Sequence, residues 1–483
     1  MDRSVRRNQA LVLGLGLLVS IWLVHLFALP WSRDEGLYLV AAHELRRGFL
    51  PHLDFFYEQM PLYLPILSGW GALFGGSLIA GRFLSFFSLI FLGTGVWFYL
   101  RKSGVSPWDR LACLWILFGH PLSWVCFPIV KPHALAMALV LWSFVLVDRA
   151  GEKMEGARTF AFGSGLLSGG AGNIRLLFAL PALIVGIRAR KTGQLRSFLF
   201  GCLVPCIPSL ILFCMSPDVV GFNWIGYHRL RGVWQTRGIV HQLVSFGWSF
   251  SGAHWLLLLP LLAMAVWIWS KKKRGLESVL GLFLAGLLMA IGSIRLVPFY
   301  PEYVLPVWVF TLVAVVARIG ADSRGRKILS LVGICAAVWS LFPVVEDLKW
   351  IAGGDGTSSV NDRREVHAVG EAIQELTCPD DEVLSWWNGY LVESGRRFLP
   401  GMNQGFVVTK MEEKLTPEQV ARYRIATVPQ IVRWIENGRP ALVVTGLDTP
   451  AGFEPLLKGR YRPVREVGGA RLYVRFGSRS GCP

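Results

Sequence analysis

The sequence predicts a polytopic α-helical membrane protein with a C-terminal α/β domain outside the bilayer. Three observations predict it. Apolar runs of about 20 residues, the length that crosses a hydrocarbon core, recur between residues 10 and 345. Every second loop between them is rich in Lys and Arg, as cytoplasmic loops are. From about Leu348 the composition becomes polar and mixed. The totals agree: of 483 residues 53% are hydrophobic and only 17% charged, with a mean hydropathy of +0.47.

The basic N-terminus, MDRSVRR, precedes an apolar run over 10–30. The run is too long for a signal-peptide core and no small-x-small cleavage site follows, so it reads as a retained signal anchor with its N-terminus in the cytoplasm. Residues 31–60 then form an outer loop. Within it Glu35–Arg47 has helical spacing, with Leu37, Val40, Ala41 and Leu45 on one side, which predicts a short helix lying in the interface. Residues 61–74 are apolar but broken by Pro and Gly, a short or re-entrant helix.

Spans follow at 78–100, 108–128 (interrupted by Gly119-His120-Pro121) and 133–147. Residues 159–172 and 176–187 form a hairpin with its tip at Asn173-Ile174-Arg175. Further spans are predicted at 197–215, 253–270, 276–294, 304–317 and 328–345, with a long outer loop over 216–248. About eleven spans with the N-terminus inside leave the C-terminus outside. In residues 348–483 the patterns predict helices at 362–376, 417–421 and 430–436 and strands at 383–387, 441–445 and 471–476. The domains are therefore a membrane part, 1–347, and an extracytoplasmic α/β domain, 348–483. The chain contains no nucleotide-binding glycine motif and no internal repeat.

The net charge of +17 does not point to nucleic acid, because the basic residues cluster in short loops between apolar spans. The 20 Trp suit aromatic belts at membrane interfaces as well as helix packing. The eight Cys offer no metal framework: six lie in apolar spans as small core residues, and Cys378 and Cys482, in the polar part, are placed to pair only if that part is extracytoplasmic. Nothing demands a cofactor; a divalent metal is compatible with the sequence but unsupported by it.

Charges at membrane depth cost about 2.5–3.5 kcal/mol each and persist when paired or at work. On the outer side Arg33, Lys131, Arg175, Arg229, Arg231, Arg237 and Arg295 are not asked for by the positive-inside rule. Converging, they would form an anion site for a phosphate, which Arg binds in bidentate fashion and Lys as a point charge; singly, each reads as a solvated loop charge. Asp34 and Glu35 stand beside Arg33 where the first apolar run ends. A carboxylate there can serve as a general base or simply pair with Arg33. Glu58, preceded by Tyr57 and followed by Gln59, either works in the site or stabilises the next helix N-terminus. His133 reads equally as a substrate contact or an interfacial His. Tyr300 and Tyr303 read as headgroup ligands or belt residues, and His25 as a core residue.

The first-loop signature RDEGLYLVAAHELRRG followed by FFYEQMPLYLP resembles the membrane glycosyltransferases of the C-type (GT-C) fold, in the bacterial branch related to protein O-mannosyltransferases and lipid A aminoarabinose transferase, glycosyltransferase family 39-like. NIRLLFALPAL and PFYPEYVLPVW are similar to later stretches of the same group, so the resemblance spans most of residues 1–318. It implies a sugar donor carried on a polyprenyl phosphate and transfer on the outer face of the plasma (inner) membrane to a lipid, glycan or protein hydroxyl. By the same resemblance Asp34 is the base and Glu58 the Glu that closes the loop; Glu35, beside Asp34, is taken with Glu58 as a supporting catalytic carboxylate. Arg33, Lys131, Arg175, Arg229, Arg231, Arg295 and Tyr303 would hold the donor phosphate, and His133, Tyr57 and Gln59 would touch sugar or acceptor. The chain departs from the group where Glu58-Gln59-Met60-Pro61 replaces a Glu-Lys-Pro-Pro, so that Lys131 or an outer Arg must meet the phosphate, and where His133 replaces an Asp. A single base opposite the leaving group implies inversion. Two other readings use the same outer charges: a transporter or flippase for a lipid-linked or anionic solute, which inverted repeats would favour, and a non-catalytic subunit of envelope-polysaccharide assembly.

Overall fold

The computed structural model describes residues 3–152, 155–232, 276–294, 301–320, 323–352, 362–411 and 413–477. The predicted span at 253–270 lies outside them.

Helix α1 (Arg3–Ala28) stops two residues before Pro30, a residue that disfavours helical backbone immediately ahead of it. Helix α2 (Arg33–Arg46) begins at an extended Ser32, whose N–H is accepted by the Glu35 carboxylate at 2.8 Å, half of a capping box. Asp34 and Glu35 in its first turn also suit the helix dipole. Helix α3 (Tyr63–Phe74) has 12 residues. It is therefore about 18 Å long, too short for a hydrocarbon core of about 30 Å, as the Pro and Gly in its sequence predict.

The membrane part continues with α4 (Leu78–Lys102), α5 (Pro107–Phe118), α6 (Pro121–Cys126), α7 (His133–Ala150), α8 (Ala157–Ile174), α9 (Ala179–Lys191) and α10 (Leu195–Met215). The break between α5 and α6 falls at the predicted Gly119-His120-Pro121, where the His120 ring accepts the Leu122 N–H at 3.1 Å. The first part of the predicted 216–248 loop is helical instead: α11 (Pro217–Gly221) and α12 (Tyr227–Gly232) flank a π-helical turn. Then come α13 (Leu276–Ile294), α14 (Leu305–Ile319) and α15 (Ser323–Ile351).

Among the described residues five helices are long and apolar enough to cross a membrane, within α1, α4, α7, α10 and α15. Shorter apolar helices fill the space between them, α3 and α14 included. The outward faces suit an apolar solvent: Leu199, Phe200, Leu203, Ile207 and Leu210 of α10, and Leu331, Ile334, Val338 and Phe342 of α15, are all exposed. Glycines let two helices close up. A Cβ on Gly165 or Gly169 of α8 would run into the Phe198 or Cys202 backbone of α10, the small-residue packing that membrane helices use in place of hydrophobic drive.

The C-terminal domain begins with α16 (Arg363–Leu376). It continues through β1 (Glu382–Ser385), α17 (Gly389–Ser394), β2 (Arg397–Phe398), α18 (Gly405–Met411), α19 (Pro417–Arg422), α20 (Val428–Glu436), β3 (Leu442–Thr445), β4 (Tyr461–Val467) and β5 (Ala470–Arg475). The sheet order is β2-β1-β3-β5-β4, with β2, β1 and β3 parallel and β5 and β4 antiparallel. The sequence predicts β1, β3, β5, α16, α19 and α20. It misses β2, which has only two residues, and β4, an edge strand that carries Pro463 and lacks alternation because its middle is exposed.

The domain sits directly on the 31–60 loop. Phe56, Phe222 and Tyr227 of the membrane part are buried in one cluster with Leu384, Trp386, Met402 and Ile431 of the domain. Each such side chain contributes on the order of 1.5–3 kcal/mol. A Cβ on Gly36 would stand 2.6 Å from the Gly389 N, so α2 and α17 touch backbone to backbone. This corrects the expectation for α2: it does not lie open in the interface but is covered by the domain, with Tyr38, Leu39, Val40, Ala41 and Ala42 all buried.

Candidate active site

A cavity of about 160 Å³ opens between the two parts. Its floor comes from the membrane part and is charged. Asp34, at the second position of α2, faces Lys131 in the link between α6 and α7. Lys131 Nζ lies 2.8 Å from Asp34 Oδ2 and 2.8 Å from Glu302 Oε1. Lys131 is buried at 8% side-chain exposure and Glu302 partly buried at 12%, whereas Asp34 is open at 51%. Burial opposes the Lys131 ammonium, but the two carboxylates outweigh it and hold its pKa above the usual lysine range. Arg175, where α8 ends, adds a second cation and lies 5.1 Å from the centre of the Tyr303 ring. His133 lines the same floor at 2% exposure, with neither ring nitrogen hydrogen-bonded.

Glu35 is elsewhere, against expectation. It is fully buried and does not line the cavity. Arg82 of α4, also 0% exposed, grips it with Nε at 2.9 Å from Oε1 and Nη2 at 2.8 Å from Oε2. The guanidinium also donates to the carbonyls of Leu29 and Pro30, each at 2.7 Å, and so caps the end of α1. Glu35 in turn accepts the Val130 N–H at 2.9 Å, one residue from Lys131. One buried ion pair thus ties the end of α1, the start of α2, α4 and the Lys131 link together. Glu35 sets where Asp34 and Lys131 stand and does not itself face the cavity.

The roof comes from the C-terminal domain: Trp386, Trp387, Asn388, Asn403, Gln404 and Asp448 line it. Trp387 Nε1 donates to the Arg33 carbonyl at 3.2 Å, and Asp448 pairs with Arg33 at 3.3 Å. Burial pushes the Asp448 carboxyl up in pKa, against the pull of Arg33 and Lys410. Gln404 Nε2 donates to the Glu58 carboxylate and Asn403 Nδ2 to the Phe56 carbonyl, so the roof is tied to the end of the 31–60 loop.

Of the residues the sequence singles out, Arg33, Asp34, Glu58, Gln59, Lys131, His133, Arg175 and Tyr303 meet in this cavity. Tyr57 is fully buried beneath it, edge-on to Tyr38, and is not part of the lining. Arg229 is exposed and also outside the lining. The Arg231 side chain, Arg237 and Arg295 lie outside what the structure describes. His25 is buried, as the sequence suggests, and pairs with Asp347 of α15. Sequence reasoning misses Glu302, although it adjoins Tyr303; Arg82, whose signal is a charge inside an apolar span; and the whole roof. Among the described residues no group of three or more His, Cys, Asp or Glu is arranged to hold a metal ion. Cys378 is disulfide-bonded and six other cysteines are free, while Cys482 lies outside the described residues.

No protein-family model matches the sequence, and no curated protein matches it significantly. Solved structures do match. The crystal structure of ArnT from Cupriavidus metallidurans bound to undecaprenyl phosphate superposes with a TM-score of 0.71 at 13% identity, over 99% of this chain and 100% of that one. The apo form of the same protein gives 0.70 at 14% identity, again over 99% and 100%. The likeness covers both the helical part and the C-terminal domain, and the GT-C fold expected from the first-loop signature is the fold of this chain.

Proposed function

We propose that this protein is an integral membrane glycosyltransferase that moves a sugar from a polyprenyl phosphate to an acceptor hydroxyl, on the extracytoplasmic face of the plasma membrane. The observation that carries the reading is the Asp34–Lys131–Glu302 bridge, with Arg175 nearby, in a cavity between apolar helices and a polar domain. Glycosyl transfer from a lipid phosphate needs a base for the acceptor and cations for the leaving group, and both are within one floor. The GT-C fold and the undecaprenyl phosphate bound by the similar ArnT support it.

In the reaction so read, the acceptor O–H gives its proton to the Asp34 carboxylate as its oxygen bonds to the anomeric carbon. The bond from that carbon to the phosphate oxygen breaks, and the electron pair leaves with the polyprenyl phosphate. Lys131 and Arg175 stabilise the charge that develops there, as fixed donors do in a water-poor site. Attack opposite the leaving group inverts the anomeric centre. Arg33 and Tyr303 complete the phosphate surroundings, and His133 and Gln59 stand where sugar or acceptor would pass. Glu58, held by Gln404, and Glu35, held by Arg82, act as positioning residues.

The test is transfer by the full-length protein in lipid, from radiolabelled undecaprenyl-phosphate sugars, with Asp34→Asn beside wild type. Loss of the base is expected to slow transfer by about 10²–10⁴-fold, while donor binding and the melting temperature hold, because Asp34 is half exposed. Equal rates would remove Asp34 from the chemistry.

A further inference from the structure

The roof has a chemistry of its own. Asn388, Asn403 and Gln404 line the cavity at 5%, 2% and 3% exposure. Each amide nitrogen is committed: Asn388 Nδ2 to the Asn403 carbonyl, Asn403 Nδ2 to the Phe56 carbonyl, and Gln404 Nε2 to the Glu58 carboxylate. Since these partners are oxygens that accept, they fix which end of each amide is nitrogen. The other end of each, Asn388 Oδ1, Asn403 Oδ1 and Gln404 Oε1, is buried and has no hydrogen-bond partner. Buried polar atoms are nearly always paired, so three orphaned acceptors beside one cavity call for a ligand.

Their position in the fold agrees. Asn388 follows β1, Asn403 and Gln404 follow β2, and Asp448 follows β3, so the roof is built at the carboxyl ends of the three parallel strands. That edge is where open α/β sheets bind ligands.

We infer that Asn388, Asn403 and Gln404 form a subsite that reads the hydroxyl groups of a glycosyl unit without negative charge. The subsite presupposes the glycosyl transfer proposed above. A carbonyl oxygen takes a hydrogen bond from a hydroxyl and repels a phosphate oxygen, which has no proton to give. The floor is the converse, with Lys131 and Arg175 suited to a phosphate. The cavity therefore fixes the donor's direction: phosphate on the membrane side, sugar under the C-terminal domain. Trp386 and Trp387 line the cavity beside the amides.

The test is native mass spectrometry of the full-length protein with undecaprenyl phosphate, bare and carrying glucose, mannose or 4-amino-4-deoxyarabinose. At least one glycosylated lipid is expected to bind about 10-fold or more tightly than the bare one, which is one to two net hydrogen bonds. Asn388→Leu is expected to bring that ratio to within about 2-fold of unity. Because the same amides hold the roof together and tie it to the loop, the deciding arm uses the wild type with single-deoxy analogues of the preferred sugar. Removal of at least one hydroxyl is expected to cost about 5–10-fold in affinity. Equal binding of bare and glycosylated lipids, or of every deoxy analogue, would overturn the subsite and leave the proposed reaction standing. Absence of binding by any polyprenyl phosphate would overturn that reaction and the subsite with it.

Discussion

The floor and the roof of the cavity solve the burial of polar groups in opposite ways. In and beneath the floor, buried charges meet their opposites: Lys131 between Asp34 and Glu302, Arg82 around Glu35. On the roof neutral amides spend their nitrogens on one another or on holding the loop and leave their oxygens unspent. The difference teaches which side is built for position and which for selection. Ion pairs are costly to break and so fix geometry, whereas an unpaired carbonyl costs little to fill and so discriminates.

The largest effect is expected from breaking the floor's hub. Arg82→Met leaves the Glu35 carboxylate buried without its partner and should destabilise the protein by about 3–5 kcal/mol, read as a fall in melting temperature in detergent. A change below about 1 kcal/mol would mean that water reaches Glu35 and that the pair is no anchor. Next is the seam itself. Gly36→Ala puts a methyl group against the Gly389 backbone, and should cost about 1–3 kcal/mol, as overpacking does. If the roof does help to select the sugar, this variant should lower transfer even where the membrane part stays folded.

The smallest effect, counted per pH unit, is a slope set by two histidines of the membrane part, His52 beside Trp224 and His43 beside Gly76. Burial lowers the His52 pKa to about 4, and Trp224 Nε1 donates to its Nε2 at 3.2 Å, which holds the ring neutral. His43 is lowered to about 4 as well, by burial first and Arg46 second. In the unfolded chain each titrates near the ordinary value of about 6.5. Their contribution is therefore intact above that pH and is lost as pH falls from about 6.5 to 4, because only the unfolded chain gains the proton. Each should add about 1.4 kcal/mol per pH unit to the slope. Melting curves of His52→Phe between pH 7 and 4.5 (about the window named) should show the slope reduced by one histidine's share; an unchanged slope would place the titration elsewhere.

Much of this was legible in the residues. Lipid-facing helices announce themselves by length and apolarity, and the strands β1, β3 and β5 by short runs containing Val, Leu or Tyr between polar residues. Asp34 and Glu35 show the limit. They are one residue class in one dipeptide, and the sequence assigns both to catalysis. A helix turns about 100° per residue, so neighbours diverge: Asp34 enters the cavity and Glu35 is buried against Arg82. Locally only the Ser32-x-x-Glu35 capping spacing separates them, and the burial of Glu35 is decided by Arg82 of α4. The roof was illegible for a related reason. Asn388, Asn403 and Gln404 are ordinary amides in the chain, and only the strand order of the domain and its seating on the 31–60 loop bring them over Asp34.

The shared cluster of Phe56, Phe222 and Tyr227 with the domain's own core has a consequence for how the protein is made. The ribosome delivers these residues long before residues 384–435, so the first half of the chain waits in the membrane with these aromatic rings uncovered. The domain, for its part, emerges last and finds the missing pieces of its interior already embedded. Folding then ends with the closing of the cavity, and a chain cut short anywhere before the last strands would hold its charged floor open to water, without the chamber in which the chemistry is read to occur.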